Sequence, residues 1–336
     1  MTGKPLVLVD ADVLGRHRTG DETYVTQLLR ELPAVAEDLR IVAVTRVPEL
    51  VPDGIEPVQL SARSQELRMA VALPRLLRRL RPDVAHFIHA LPLRCPSPAV
   101  VTVQDLSWER DPSVFGFWDL VTFKVFVRRA VRKAERVLAI SERTKRDLIE
   151  LYGTPPEKVV VTPLAPDPVF VPAGEHDSFL LFVSAIEPRK QPLAAIDAAN
   201  AVGRKLVVVG PPKDEALAAE LTRRGADLRG YVPKEELVRL YQQAACLIFP
   251  SRYEGFGLPV VEAMACGTPV VAAPERAMEE VAGDAAVFTD DLADGVRRAL
   301  ADWARLSVAG LERARRFSWR ETARITADVY RSVLAS

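Results

Sequence analysis

Cysteine is scarce: the 336 residues hold three, Cys95, Cys246 and Cys266, far apart and without a CxxC pair. That count excludes a disulfide framework and a structural zinc site, and it points to a reducing, cytoplasmic setting. An excess of either charge is also missing, with 45 Lys and Arg against 45 Asp and Glu, which excludes a protein held on nucleic acid by bulk electrostatics. No apolar run approaches the roughly 20 residues of a spanning helix. The opening Met-Thr-Gly-Lys-Pro leads directly into a strand pattern, so no signal peptide is expected. What the chain does have is 49% hydrophobic and 27% charged residues, enough apolar surface to exclude disorder as its main state. Its length suits one large domain or two ordinary ones.

Short apolar runs alternate with amphipathic stretches. Strands are expected at 6–9, 40–44, 84–88, 99–103, 137–140 and 159–161, with helical spacing over 23–32, 67–80 and 123–135. Strands alternating with helices mean βαβ units and a parallel sheet. Segment 163–178 carries Pro163, Pro166, Pro168 and Pro172 with Gly174, sustains neither helix nor central strand, and is expected to link two domains. A second strand series follows at 179–183, 205–209, 247–249 and 269–272. The expected fold class is α/β, two doubly wound domains in tandem, with ligands at the carboxyl ends of the strands and in the cleft between domains.

The densest signal is LIFPSRYEGFGLPVVEAMACGTPVVAA, 247–273. A strand ends at Phe249, a loop carries Glu254, Gly255 and Gly257, and Pro259 suits the first turn of a helix that stops at Gly267. The glycines let backbone amides approach a ligand, and the helix N-terminus offers free N–H groups to phosphate oxygens. Glu262, in the first helical turns, can accept two hydrogen bonds from a vicinal diol such as a ribose. One short segment thus has the means to hold a diphosphate, a ribose and a group beyond the phosphates.

Glu254 and Glu262, as E-x7-E, resemble the signature of retaining family-4 glycosyltransferases with the GT-B fold. Neighbouring segments are similar in register: FVSAIEPRKQP (182–192), LVVVGPP (206–212), LRGYVPKEELVRLYQQAACLIFPS (228–251), EEVAGDAAVF (279–288) and FSWRETARITADVYRSVL (317–334). In the first half the similar segments are RTGDETYVTQLLREL (18–32), VTVQDLSW (101–108) and ERVLAISERTKRDL (135–148). The resemblance implies GT-B architecture. It assigns 1–170 to an acceptor-binding Rossmann-like domain and 171–317 to a nucleotide-sugar-binding one, with a helix in 318–336 packing back on the first. It implies that Arg189 and Lys190 clamp the donor diphosphate, where preorganised cations stabilise the charge of the departing nucleotide. Glu262 would hold the ribose hydroxyls and Glu254 the donor sugar. The backbone of Gly255, Phe256, Gly257 and Leu258 would line the sugar and phosphates, Val232 would lie near the base, and Gly20 would approach the diphosphate. Gln104 would stand beside the sugar. No metal or other cofactor is expected, because Arg189, Lys190 and the helix N-terminus do a metal's electrostatic work.

The chain departs from the family pattern at three places. Asp21 and Glu22 follow Gly20, where small or apolar residues are usual, and Arg16, His17 and Arg18 precede it as possible compensation. Gln104 replaces a histidine and cannot become charged near neutral pH. Ser184-Ala185 stands where many relatives have Gly-Arg. Two further motifs compete for attention. Asp10-x-Asp12 resembles a phosphatase or metal-binding DxD motif, but downstream partners are missing and a strand-end acidic turn accounts for it. His86 and His89 suit cleft lining or structure better than one metal site. Six Lys or Arg against one Glu in 123–136 form a basic helical face, suited to solvent or to peripheral contact with the inner face of an anionic membrane.

The expected activity is transfer of a hexose from GDP-mannose or a UDP-hexose, with retention, to a glycan, lipid-linked or small-molecule acceptor. The alternatives are a sugar-nucleotide epimerase, which needs no acceptor, and a nucleotide-sugar-binding protein with weak turnover.

Overall fold

The computed structural model describes residues 3–16, 19–173 and 179–336. Two compact units emerge. The first comprises residues up to Glu109, Phe115–Leu164 and Trp319–Ser336; the second comprises Arg110–Val114 and Ala165–Ser318.

The first unit is built on a seven-stranded sheet: β1 (Leu6–Asp10), β2 (Arg40–Thr45), β3 (Glu56–Gln59), β4 (Val84–Ile88), β5 (Ala99–Val103), β6 (Arg136–Ala139) and β7 (Val159–Val161), in the order β3-β2-β1-β4-β5-β6-β7. The second has six strands: β8 (Leu180–Val183), β9 (Leu206–Val209), β10 (Asp227–Gly230), β11 (Cys246–Phe249), β12 (Val270–Ala272) and β13 (Ala286–Phe288), in the order β10-β9-β8-β11-β12-β13. All pairings are parallel. Both are Rossmann-like sheets whose strand order reverses once, between β1 and β4 and between β8 and β11.

The central strands are buried on both faces and read as unbroken apolar runs; β5 and β11 are buried along their whole length. Three strands escape the sequence reading, and each lies at or beside a sheet edge. The expectation for the linker also shifts. The passage between units falls at Leu164–Ala165, earlier than residue 170, because the residues that follow already pack on the second unit. There Lys234 Nζ donates to Asp167 at 2.6 Å, Phe170 meets the Tyr241 ring edge-on at 5.6 Å, and Gln242 donates to the Val171 carbonyl at 2.8 Å. Residues 174–178 of the expected linker lie outside the described residues.

The final helix, Trp319–Leu334, packs on the helix Thr19–Val35 within the first unit. Its buried side is fixed by polar contacts: Thr322 donates to the Pro163 carbonyl, Arg331 grips Asp38 at 2.6 Å and the Val35 carbonyl at 2.9 Å, and Tyr330 bonds His86 at 2.6 Å.

Candidate active site

In the second unit the reversal between β8 and β11 sets the loops after their carboxyl ends side by side. Gly210, after β9, holds the ends of β8 and β9 close: its φ is +140°, and a Cβ there would sit 2.0 Å from the Ser184 carbonyl oxygen. After β8 the chain makes a 3-10 turn over Pro188–Lys190, closed by Gln191 at φ 54°. The turn delivers Arg189 and Lys190 to the β11 loop. Arg189 donates to the Tyr253 carbonyl at 2.6 Å and to Glu187 at 2.7 Å. Lys190 donates to Glu254 Oε1 at 2.6 Å, and both of these side chains are only 11% exposed. Two motifs read separately in the sequence, Arg189-Lys190 and Glu254, are therefore brought together.

Glu187, which the sequence reading missed, is the fourth member. Burial opposes its ionisation, but Arg189, Lys213 and Lys190 outweigh burial and hold its carboxyl below the usual range. It orients Arg189 at 2.7 Å and meets Lys213 at 3.2 Å. Its only sequence signal was its place in the quoted 182–192 segment.

After the β11 loop, Gly257 takes φ 98°, Pro259 enters the first turn, and the helix Leu258–Ala265 begins. Pro259 has no N–H and Val260 donates to the Gly257 carbonyl at 3.0 Å, and this end of the helix carries the positive end of its dipole. Gly255 and Phe256 are buried, and Phe256 meets Phe317 edge-on at 5.5 Å. Glu262 accepts a hydrogen bond from the Tyr241 hydroxyl at 3.0 Å. Burial pushes the Glu262 carboxyl up to about 7, against the lowering effects of Tyr241 and Lys234. Tyr241, also missed from sequence, is buried and its own hydroxyl is raised further by burial and by Glu262. Val232 is buried just beyond β10, beside the exposed Tyr231.

In the first unit Gly20 lies in the opening turn of the helix Thr19–Val35, where a Cβ would be 3.6 Å from Gln104 Oε1. Gln104 follows β5, is 9% exposed, and its Nε2 is buried without a hydrogen-bond partner among the described residues. Such a donor is costly unless something accepts from it. The two acids after Gly20 have local partners: Glu22 accepts from the Gly15 N–H at 2.7 Å and Asp21 lies 3.5 Å from His89 Nε2. His17 and Arg18 lie outside the described residues.

Asp10 and Asp12 are absorbed by arginines. Arg68, 1% exposed, grips Asp10 at 2.5 and 3.1 Å; Asp12 is met by Arg46 at 3.1 Å and by Arg16. Nothing in a sequence window announces Arg68 as the partner of residues 58 positions earlier. His86 is fully buried between the hydroxyls of Tyr330 (2.6 Å) and Thr102 (2.7 Å), and burial pushes it down to about 3, so it is neutral and structural. His89 ends β4 with φ 60° and packs on Trp108. Among the described residues no group of three or more His, Cys, Asp or Glu is placed to hold a metal, and no helix is long and apolar enough to cross a membrane.

Comparisons with known proteins follow the two halves. Residues 18–169 match the Glycosyltransferase Family 4 model and residues 168–320 the Glycosyl transferases group 1 model. The chain is similar to O-antigen chain mannosyltransferase B of Escherichia coli, 28% identical over 267 residues, covering 69% of this chain and 70% of that one. It is also similar to a D-inositol 3-phosphate glycosyltransferase of Nocardioides sp., 34% identical over 254 residues, covering 62% of this chain and 56% of that protein, little more than half its length. Among solved structures, sucrose-phosphate synthase of Thermosynechococcus elongatus superposes with a TM-score of 0.80 at 18% identity, covering 98% of this chain and 99% of that one. Anabaena HepE, in complex with UDP and glucose, gives 0.75 at 17% identity, covering 98% and 100%. At these identities the structural likeness is one of fold, the GT-B fold.

Proposed function

From a chain whose two halves both match glycosyltransferase models and whose fold is GT-B, we propose a retaining hexosyltransferase that uses a nucleoside-diphosphate sugar. The observation that carries the reading is the convergence of Arg189, Lys190 and Glu254 beside the N-terminus of the helix Leu258–Ala265 at the β8/β11 reversal. Two cations and a helix N-terminus suit a diphosphate, and they act on the charge that develops as it leaves. In this reading Arg189 and Lys190 hold the diphosphate, Glu187 keeps Arg189 aimed, and Glu262 accepts from the ribose hydroxyls. Glu254 faces the sugar, the Gly255–Leu258 backbone lines it, and Val232 borders the base. In the first unit Gly20 leaves room for close approach, and the Gln104 amide, without a partner among the described residues, donates to a sugar hydroxyl.

The bond from the anomeric carbon to the diphosphate oxygen breaks, and an acceptor oxygen bonds the same face. The acceptor proton passes to the departing phosphate oxygen, so no side-chain base and no metal is needed. The mannosyl relative and the UDP-glucose complexes support GDP-mannose or a UDP-hexose as donor. A glycan, a lipid-linked glycan or a small molecule is the acceptor class, and the protein works in the cytoplasm, at the membrane's inner face where its acceptor is lipid-linked.

Calorimetric titration with UDP, GDP, ADP and dTDP tests the donor half, with clear preference for one base expected. Lys190→Ala and Glu254→Ala are expected to lower transfer by about a hundredfold or more with unchanged circular dichroism, and wild-type turnover in both sinks the assignment. Chelation by EDTA is expected to leave transfer unchanged. Gln104, in place of the histidine that the family resemblance implies there, favours a second reading: a nucleotide-sugar-binding protein with weak turnover. Binding without transfer, hydrolysis or epimerisation across an acceptor panel would select it.

A further inference from the structure

The donor chemistry leaves two polar residues of the first unit unused, Asp21 and His89, and the fold brings them together. The sheet of that unit reverses its order between β1 and β4, and such a reversal opens a crevice at the carboxyl ends of the strands. His89 follows β4 on one side of it. Asp21 stands on the other, in the first turn of the helix Thr19–Val35 that follows β1. His89 Nε2 lies 3.5 Å from Asp21 Oδ1, and the two side chains keep 22% and 26% exposure.

His89 is held there against its own preference. Its φ is 60°, and the Ala90 N–H donates to the Ile88 carbonyl at 2.7 Å, so His89 centres a three-residue turn of the rare positive-φ kind. Such a turn persists only where its surroundings fix it. Here the His89 N–H donates to the Thr102 carbonyl at 2.8 Å, and the Thr102 hydroxyl is bonded by Tyr24 at 2.9 Å and by His86 at 2.7 Å. Gln104 calls for a ligand at the same place. Its Nε2 is buried without a partner among the described residues, and its Oε1 lies 3.6 Å from where a Cβ of Gly20, the residue before Asp21, would stand.

Charge decides what kind of ligand fits. Arg68 is taken by Asp10, Arg16 and Arg46 by Asp12, and Arg143 after β6 by Asp147. Asp21, Glu22 and Asp105 add three more acids, so carboxylates outnumber arginines here among the described residues, and counting Arg18 from the sequence does not reverse the balance. A phosphate or carboxylate would meet like charge, whereas a neutral hydroxyl would not.

Building on the glycosyltransferase reading, we propose that His89 and Asp21 seat a neutral sugar of the acceptor. One of its hydroxyls accepts a hydrogen bond from His89 Nε2 and donates one to the Asp21 carboxylate. At 3.5 Å the two groups are too far apart for a good hydrogen bond to each other, and a hydroxyl, donor and acceptor at once, bridges both. The carboxylate fixes the imidazole proton on Nε2. The acid after Gly20, a departure from the family pattern, thereby becomes a determinant of acceptor choice.

The test is saturation-transfer NMR of the full chain, in the presence of UDP or GDP, with methyl α-mannoside and methyl α-glucoside, each beside the same glycoside phosphorylated at its primary hydroxyl. Calorimetric nucleotide titration of every sample accompanies it. At least one neutral glycoside is expected to bind, and more tightly than its phosphate. Asp21→Ala is expected to weaken that binding at least about tenfold and to raise the affinity of the phosphate. His89→Asn, whose side chain suits positive φ, is expected to weaken it likewise with an unchanged melting temperature. A role confined to holding the turn would instead move the melting temperature and leave the preference for the neutral glycoside as it is. Binding of no neutral glycoside, tighter binding of the phosphates, or wild-type affinity in both variants overturns the proposal. Glycoside binding that depends on Asp21 in a chain that binds neither nucleotide would uphold the subsite and overturn the glycosyltransferase reading alone.

Discussion

Lys190 and Glu254 bond at 2.6 Å with about a tenth of each side chain exposed. Removing one charge strands the other. Lys190→Ala is expected to cost about 2–4 kcal/mol, below the top of the range for buried pairs because solvent still reaches this one. Lys190→Ala with Glu254→Gln is expected to be more stable than Lys190→Ala alone, and a double-mutant cycle by chemical denaturation measures the coupling; additive effects would mean that the contact contributes nothing. Glu262 makes a separate prediction. Its folded carboxyl titrates at about 7 against 4.5 for the unfolded chain. Between those values the folded state keeps a proton that the unfolded state releases, so this group's contribution to stability falls as pH rises and is fully lost above about 7. Glu262→Gln is therefore expected to gain melting temperature over wild type on going from pH 5 to 8. A ribose diol needs the ionised carboxylate, so nucleotide-sugar affinity is expected to fall as pH drops through about 7, and calorimetry with the intact sugar nucleotide reads it.

At the scale of elements, the approach of β8 to β9 depends on one missing Cβ. Gly210→Ala would drive a methyl into the Ser184 carbonyl, 2.0 Å away, at a φ of +140° that side chains rarely adopt. A loss of more than about 3 kcal/mol, or no soluble protein, is expected, and a wild-type melting temperature would show that the turn relaxes freely. Whether an element was legible in the sequence follows its burial. β4 and β5 read directly as VAHFI and AVVTV because all of their residues but Ile88 are buried. β3 reads EPVQ, with a proline and exposed residues, and β10 reads DLRG; β3, β10 and β13 end their sheets, where no apolar run is required. The site was legible where its residues sit in one window, as Glu254, the glycines and Glu262 do. It was not legible where a role depends on a partner outside the window, as with Tyr241 on Glu262, Lys213 on Glu187, or Arg68 across Asp10 and Asp12. The final helix repeats the lesson: Tyr330 satisfies His86 across 244 positions. Tyr330→Phe leaves that imidazole nitrogen unpaired and is expected to cost about 1–2 kcal/mol.

At the scale of the molecule, one buried group in each unit responds to acid in the opposite direction from the other. His86, in the first, is held neutral down to about 3, whereas the unfolded imidazole takes a proton near 6.5. Stability from this group is full above 6.5 and is lost as pH falls toward 3. Glu262, in the second, gains as pH falls from about 7 to 4.5. Calorimetric scans are therefore expected to show two transitions that separate below pH 6, the first unit melting earlier. Trp303, whose indole donates to the Ala245 carbonyl at 3.1 Å, reports on the second unit; one shared transition at every pH would show that the units melt as one. The return of Trp319–Ser336 to the first unit also orders events during synthesis. The helix Thr19–Val35 emerges early, with Tyr24, Val25, Leu28 and Leu29 destined for full burial, yet part of its cover is translated only after the entire second unit. At roughly 5–20 residues per second that interval is on the order of tens of seconds. A nascent chain must therefore shield an unfinished apolar surface while a later-born neighbour completes its own core, which makes this helix the natural place for a chaperone to hold.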